Sequence, residues 1–299
     1  MARYRLALTL ITLALLGGCA DPHASWHEHA GAALDVAVYN PGDKGIFAVS
    51  SELVTGKQEA ILIDAQFSTA DAQQLVERIK ASGKHLTTIY ISHGDPDYYF
   101  GLDTLHSAFP DAKILATAPT ITHIQATQEE KLKIWGPKLG ANAPQRIVIP
   151  EALPGDHLML EGNALNVVGL DGPTPERTYI WIPAIKTVVG GVSVFAGEHV
   201  WMADTQTPQS HVDWLRTLSS IEALQPLTVV PGHFDAGAPQ DLKAVRFTAE
   251  YIATYDTEAA KAKNSTELIN AMKAHYPKLG AVGSLELSAK VSKGEMPWH

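Results

Sequence analysis

Twice along this chain, a series of β-type runs leads into an amphipathic helix, then one more apolar strand, then a further helix. That doubled order restricts the fold more than any single motif, because every such element has one apolar face or stripe that must find a partner. In the first half the runs are Leu34 to Tyr39, Gly45 to Val54 and Ala60 to Ala65, with the turn cluster Asn40-Pro41-Gly42-Asp43 between the first two. Ser68 to Ser82 follows as a helix, with Leu75, Val76 and Ile79 on one face, Ser68 as N-cap and Gly83 as the stop. A strand at Leu86 to Ser92, a short helix at Leu102 to Phe109, a strand at Lys113 to Thr117 and a helix from Pro119 to about Leu139 complete this half, Gly136-Pro137 breaking or kinking the end.

The second half repeats the order. Strands are predicted at His157 to Glu161, Ala164 to Asp171, Arg177 to Ile182 and Lys186 to Val189, and a helix at Gln209 to Leu224 with Leu215, Leu218, Ile221 and Leu224 along its apolar stripe. Strand Leu227 to Val230 then runs into Pro231-Gly232-His233, and two helices, Pro239 to about Lys261 and Ser265 to His275, precede a polar tail. Two mixed sheets packed face to face, with helices on both outer faces, would bury all of these elements: an α/β, four-layer αββα sandwich.

Ahead of this domain, Arg3 and Arg5 precede the apolar run Leu6 to Leu16, which has the length of a secretory h-region and is short for a bilayer span. The run ends Leu16-Gly17-Gly18-Cys19, and Cys19 is the only cysteine. The pattern resembles a bacterial lipoprotein signal, which implies export to the cell envelope and a lipid on Cys19. The expected division is a signal over 1–18, a tether over 19–33 that carries His23, His27, Glu28 and His29 without apolar periodicity, and the domain over 34–299. Removing the signal would leave 21 basic against 32 acidic residues, a net charge of −11, in place of −9 for the whole chain. Such a balance excludes nucleic acid as a partner and leaves the lipid as the only expected route to a membrane. With one cysteine there is no internal disulfide and no thiolate zinc site, so any metal must be held by His, Asp, Glu or Tyr.

The candidate chemistry lies at His93-Gly94-Asp95-Pro96-Asp97-Tyr98-Tyr99-Phe100-Gly101. His93, Asp95 and Asp97 stand at alternate positions after a strand, where side chains can converge, and imidazole and carboxylate are metal-ligand types. A solvated turn would be equally rich in Asp, Pro and Gly.

Together, the order of elements and this loop resemble the metallo-β-lactamase fold superfamily, over about Leu34 to Tyr255. Family members carry HxHxDH after a central strand, then a Gly-His, a Gly-Asp and a final Gly-His. The matching regions here are Ser92 to Gly101, Gly169-Leu170-Asp171-Gly172, Gly190-Gly191 and Gly232-His233. Only His93, Asp97 and His233 match residue for residue. Asp95 stands where the second histidine belongs, Tyr98 where the third belongs, Asp171 at or beside the next one, and Gly191 replaces the aspartate that usually bridges two metals.

The resemblance implies a hydrolase of a small-molecule ester, lactone, amide or thioester, using one divalent ion (Zn, Mn or Fe) and its bound water. His93, Asp95, Asp97, Asp171 and His233 form the expected ligand pool, with Asp97 and His233 in catalytic roles. The added carboxylates shift preference toward harder ions without excluding zinc. Tyr98, His199 and Asp204 are candidates to line the substrate pocket. Two other readings stay open: acid–base catalysis without metal, and a metal-poor, non-catalytic binding protein of the cell envelope.

Overall fold

A computed structural model describes residues 33–298. Cys19 and the expected signal and tether residues up to 32 lie outside the described residues. The chain forms strands β1 (Asp35–Tyr39), β2 (Ser51–Thr55) and β3 (Glu59–Ile63), helix α1 (Thr69–Ser82), strand β4 (His85–Ile91), helices α2 (Pro96–Tyr99) and α3 (Leu102–Ala108), strand β5 (Lys113–Ala116) and helix α4 (Ala118–Leu139). There follow β6 (Glu151–Ala152), β7 (His157–Leu160), β8 (Asn163–Val168), β9 (Tyr179–Ile182), β10 (Thr187–Val189), β11 (Phe195–Ala196), α5 (Pro208–Ala223), β12 (Thr228–Val229), β13 (His233–Phe234), α6 (Leu242–Lys261), α7 (Ser265–His275) and α8 (Val282–Ser292).

One six-stranded sheet has the order β1-β2-β3-β4-β5-β6, antiparallel through β3 and parallel thereafter. The second has the order β12-β10-β9-β8-β7, antiparallel except where β12 joins β10. Both sheets are therefore mixed, with helices on the outer faces, as the αββα arrangement requires. Central strands β3 and β4 read as nearly continuous apolar runs because both of their faces are covered: Ile61, Leu62 and Ile63, then Ile89, Tyr90 and Ile91, are all buried. By contrast, β8 alternates, burying Asn163, Leu165 and Val167 only.

The helices form where their caps and stripes direct. Helix α1 starts at Ser68, whose hydroxyl accepts from the Asp71 amide at 3.0 Å, and stops at Gly83, which takes the left-handed φ of 65° that glycine tolerates. Helix α5 begins in a Thr207–Ser210 capping box. Helix α6 is fastened to β11 by Thr248, whose Oγ1 accepts from the Phe195 amide at 3.0 Å and donates to the Phe195 carbonyl at 3.1 Å.

Three stretches differ from the sequence reading and one boundary agrees with it. The run from Gly45 to Val54 is a strand only from Ser51, since Gly42–Lys44 forms a 3-10 turn and Phe47 turns toward a cavity. Helix α4 ends at Leu139 as expected, with Pro137 inside its last turn. The stretch after α7, expected as a polar tail, contains α8, which buries Leu285, Ser288 and Ala289. The strands β6, β11 and β13 have two residues each, too short for any alternation to register. Among the described residues, no helix is long and apolar enough to cross a membrane.

Candidate active site

Strand β4 ends at Ile91, and the next residue, Ser92, is held by one buried carboxyl group. Asp64, at the end of β3 with a φ of 62°, accepts hydrogen bonds from the Ser92 amide at 2.8 Å and the Ser92 hydroxyl at 2.6 Å. Ser92 Oγ in turn accepts from the Gly191 amide at 2.8 Å, and the Ser92 carbonyl accepts from Thr178 Oγ1 at 2.9 Å. The first sheet is thus tied to the second directly beneath the loop His93–Gly101. Burial pushes Asp64 up to about 7, against the opposing pull of its Ser92 hydrogen bonds.

The loop then supplies one imidazole–carboxylate pair and the carboxylate of a second. His93 Nε2 lies 3.0 Å from Asp95 Oδ2, and His233 Nε2 lies 3.2 Å from Asp97 Oδ2. Pro96 opens α2 at a position where its missing N–H costs nothing, and Asp97 sits in that first turn. Asp95 precedes the helix but makes no side-chain cap, because its carboxylate is directed elsewhere. Its second oxygen, Oδ1, lies 3.1 Å from Lys131 Nζ, projecting from α4. His123 of the same helix stacks on His93 with centroids 6.4 Å apart, its Nε2 4.0 Å from Asp95 Oδ1. Gly94 makes room for it: a Cβ there would stand 2.5 Å from His123 Cδ2.

His233 is set by β13, which pairs with β11 so that Phe195 lies opposite it and stacks on its ring at 5.0 Å and 11°. Its other nitrogen, Nδ1, is 3.9 Å from Glu198 Oε1. The Tyr98 ring meets both imidazoles edge-on, at 5.2 Å from His93 and 6.0 Å from His233.

The charges follow from these neighbours. Burial alone would lower the pKa of His233, but the hydrogen bond and charge of Asp97, then the charge of Glu198, raise it overall. Burial pushes Glu198 up to about 7 against the pull of His233. For Asp95, burial is overcome by His93 first and then by Lys131 and Arg177, which together hold it well below the usual carboxylate range. Lys131 is raised because Asp95 and Asp204 outweigh its desolvation.

Asp95, Lys131, Glu198 and His233 line a cavity of about 340 Å³. Phe47, Phe67, Trp135, Trp201 and Trp298 form apolar wall, while Asp95, Asp97, Lys131, Glu198, Asp204 and His233 contribute the polar side chains. Asp204 anchors two of the tryptophans, accepting from Trp201 Nε1 at 2.7 Å and Trp298 Nε1 at 2.6 Å. Trp298 also lies under Lys131, whose Nζ is 5.2 Å from its ring centre.

Of the residues singled out from sequence, Asp95, Asp97, Tyr98, Asp204 and His233 line this cavity, and His93 supports it through Asp95. Asp171 stands apart. It is exposed on the turn closed by the Gly172 amide and Gly169 carbonyl, and none of the ion pairs of the cluster reaches it. His199 is buried against α6 instead, its Nδ1 3.0 Å from Tyr251 Oη, and does not line the cavity. Lys131, Glu198 and His123 are not among the residues that the sequence points to. A signal for Lys131 exists, since it continues the buried stripe Thr120, Ile124, Lys131, Trp135 of α4, where a lysine must be paired.

The donors do not fit a single-ion site drawn from the expected pool of His93, Asp95, Asp97, Asp171 and His233. Asp171 is outside the cluster, both oxygens of Asp95 are engaged by cationic or imidazole nitrogens, and Tyr98 occupies a ligand position with a phenol held far from ionisation by burial. Among the described residues, no three His, Cys, Asp or Glu side chains gather as a group able to hold a metal ion.

The profile of the metallo-beta-lactamase superfamily matches residues 45–233. No curated protein is matched by the chain. Among solved structures, a metallo-beta-lactamase family protein from Thermus thermophilus superposes with a TM-score of 0.60 at 17% identity, covering 86% of this chain and 91% of that one. A beta-lactamase domain protein from Burkholderia ambifaria gives 0.60 at 14% identity, covering 86% and 84%. A metallo-beta-lactamase from Pontibacter korlensis gives 0.54 at 18% identity, covering 74% and 99%. These likenesses carry the fold alone, and with the profile match over most of the domain they place the site on a known scaffold: the chain belongs to the metallo-beta-lactamase superfamily.

Proposed function

We propose that this protein hydrolyses a small, mostly apolar ester, lactone, amide or thioester, with the Asp97–His233 pair as its acid–base machinery. The observation that carries this reading is the position of that pair in the lining of an aromatic-walled cavity of about 340 Å³. Such a space suits a compact molecule with one polar group. In the reaction, a water attacks the carbonyl carbon and gives a proton to Asp97. His233, whose pKa Asp97 and Glu198 raise against burial, donates its proton to the departing oxygen, sulfur or nitrogen. Transfer back from Asp97 to His233 across their 3.2 Å contact restores the starting state. No step is assigned to a metal ion, because the donors that would hold one are engaged with each other. The superfamily generally uses divalent metals, so this is a departure from its common chemistry.

A panel of p-nitrophenyl esters, lactones, thioesters and small amides, assayed with protein freed of metal by chelation, tests the reading. Turnover that persists in chelator is the expected result. A second reading, a non-catalytic binding protein of the envelope, is favoured by the mutual neutralisation of Asp95 and Lys131. It would be supported by ligand-induced quenching of the cavity tryptophans with no turnover on any member of the panel.

We further propose export and anchoring through lipid on Cys19, supported by the charged and apolar leader that precedes it. Cys19→Ser is expected to move the protein from the membrane to the soluble fraction on ultracentrifugation; unchanged membrane partition would refute the anchor.

A further inference from the structure

We infer that Lys131 is a built-in cation that closes a latent metal site formed by His93, Asp95 and His123, and that the protein is metal-free because of it. Three observations lead there. First, a lysine within a buried α4 stripe is uncommon: Lys131 is only 5% exposed, and a buried ammonium needs a carboxylate partner. It has one in Asp95, at 3.1 Å. Second, the other groups around that carboxylate are metal-ligand types. His93 Nε2 is 3.0 Å from one oxygen, and His123 Nε2 is 4.0 Å from the oxygen that Lys131 holds. Two imidazoles and a carboxylate are a common divalent-ion set. Third, this trio is held in place by the fold. His123 packs so closely on Gly94 that a Cβ there would collide with its ring, and it stacks on His93 with only 21° between planes.

A cation at Asp95 is therefore already supplied by the chain itself. A divalent ion would have to displace a charge that is tethered at no cost in translational freedom and further steadied over the Trp298 ring. The expected ligand set built on Asp171 misses this grouping because the relevant partner, His123, comes from α4 and not from the later turns. This inference concerns ion binding alone and does not rest on the hydrolase reading.

The test is metal uptake, measured by equilibrium dialysis and elemental analysis of chelator-treated full-length protein against Zn²⁺ or Mn²⁺. Wild type is expected to retain less than about 0.1 ion per chain, whereas Lys131→Met, which keeps the packing of the stem, should take up about one. Lys131→Arg, which restores a cation, should stay empty, and His123→Ala added to Lys131→Met should lose the gained ion. Stoichiometric uptake by wild type would overturn the inference. So would folded Lys131→Met, verified by circular dichroism, that binds no more ion than wild type. If Lys131→Met fails to fold, Lys131→Gln is measured in its place under the same two criteria. Because no arm measures turnover, failure here leaves the hydrolase proposal standing, and failure of the substrate panel leaves this one standing.

Discussion

Asp97→Asn should lower kcat/KM on any substrate the protein turns over by about 10²–10⁴-fold, the range for loss of a positioned acid–base group, with little change in folding. The side chain is nearly isosteric and 7% exposed, so the cavity keeps its shape. What it loses is the proton acceptor and the charge beside His233. Because the Asp97 hydrogen bond and charge are the leading causes that raise the His233 pKa against burial, the amide should let that pKa fall. Residual activity that depends on protonated His233 should then decline at lower pH than in wild type. Rate profiles over pH 5 to 9, beside thermal melts of both proteins, check this. Turnover within twofold of wild type would remove Asp97 from the mechanism.

The second large effect is on stability. Glu52 on β2 is fully buried, and neither carboxyl oxygen has a hydrogen-bond partner of good geometry, although the Ser50 hydroxyl and Gly190 amide lie close enough to ease its burial. Burial pushes the group from 4.5 up to about 8. A carboxyl raised in the folded state binds more protons there than in the unfolded chain between these two values. Folding stability must therefore fall as pH rises through that window and level off above it, at about 1.4 kcal/mol per pH unit for one such group. Asp64, pushed up to about 7 by the same cause, adds to the slope at its lower end. Glu52→Gln, which cannot ionise, should match wild type near pH 5 and exceed it by several kcal/mol near pH 9. Urea titrations at pH 5, 7 and 9 decide it: an unchanged slope in the variant would show that Glu52 is not the source.

Much of the scaffold is legible in the sequence for identifiable reasons. Ser68 and Gly83 bound α1 because a hydroxyl and a left-handed residue satisfy helix ends locally, without help from the rest of the fold. The loop His93–Gly101 is legible because its chemistry is concentrated within a few residues of one strand end. The remainder of the site is hidden because it is assembled across long distances. Lys131 resembles an ordinary surface lysine until α4 is seen to turn that face inward, and His123 reads as one more residue of a regular helix. Glu198 becomes relevant only when β11 places Phe195 against His233. Trp298 lies in a stretch expected to be a polar tail, and reaches the cavity only because α8 packs down first.

Gly191 limits what this site can be changed into. Its φ of +83° is one that an aspartate rarely adopts, and a Cβ there would stand 2.4 Å from the Thr178 carbonyl oxygen. A carboxylate cannot be introduced here by changing this residue alone; the turn holding Thr178 would have to move as well. That turn carries the hydroxyl bonded to the Ser92 carbonyl and so holds the two sheets together beneath the site. An aspartate at this position would have to break a structural joint before it could supply a ligand, so a two-ion site is barred here by the packing of the two sheets and not by the identity of one residue.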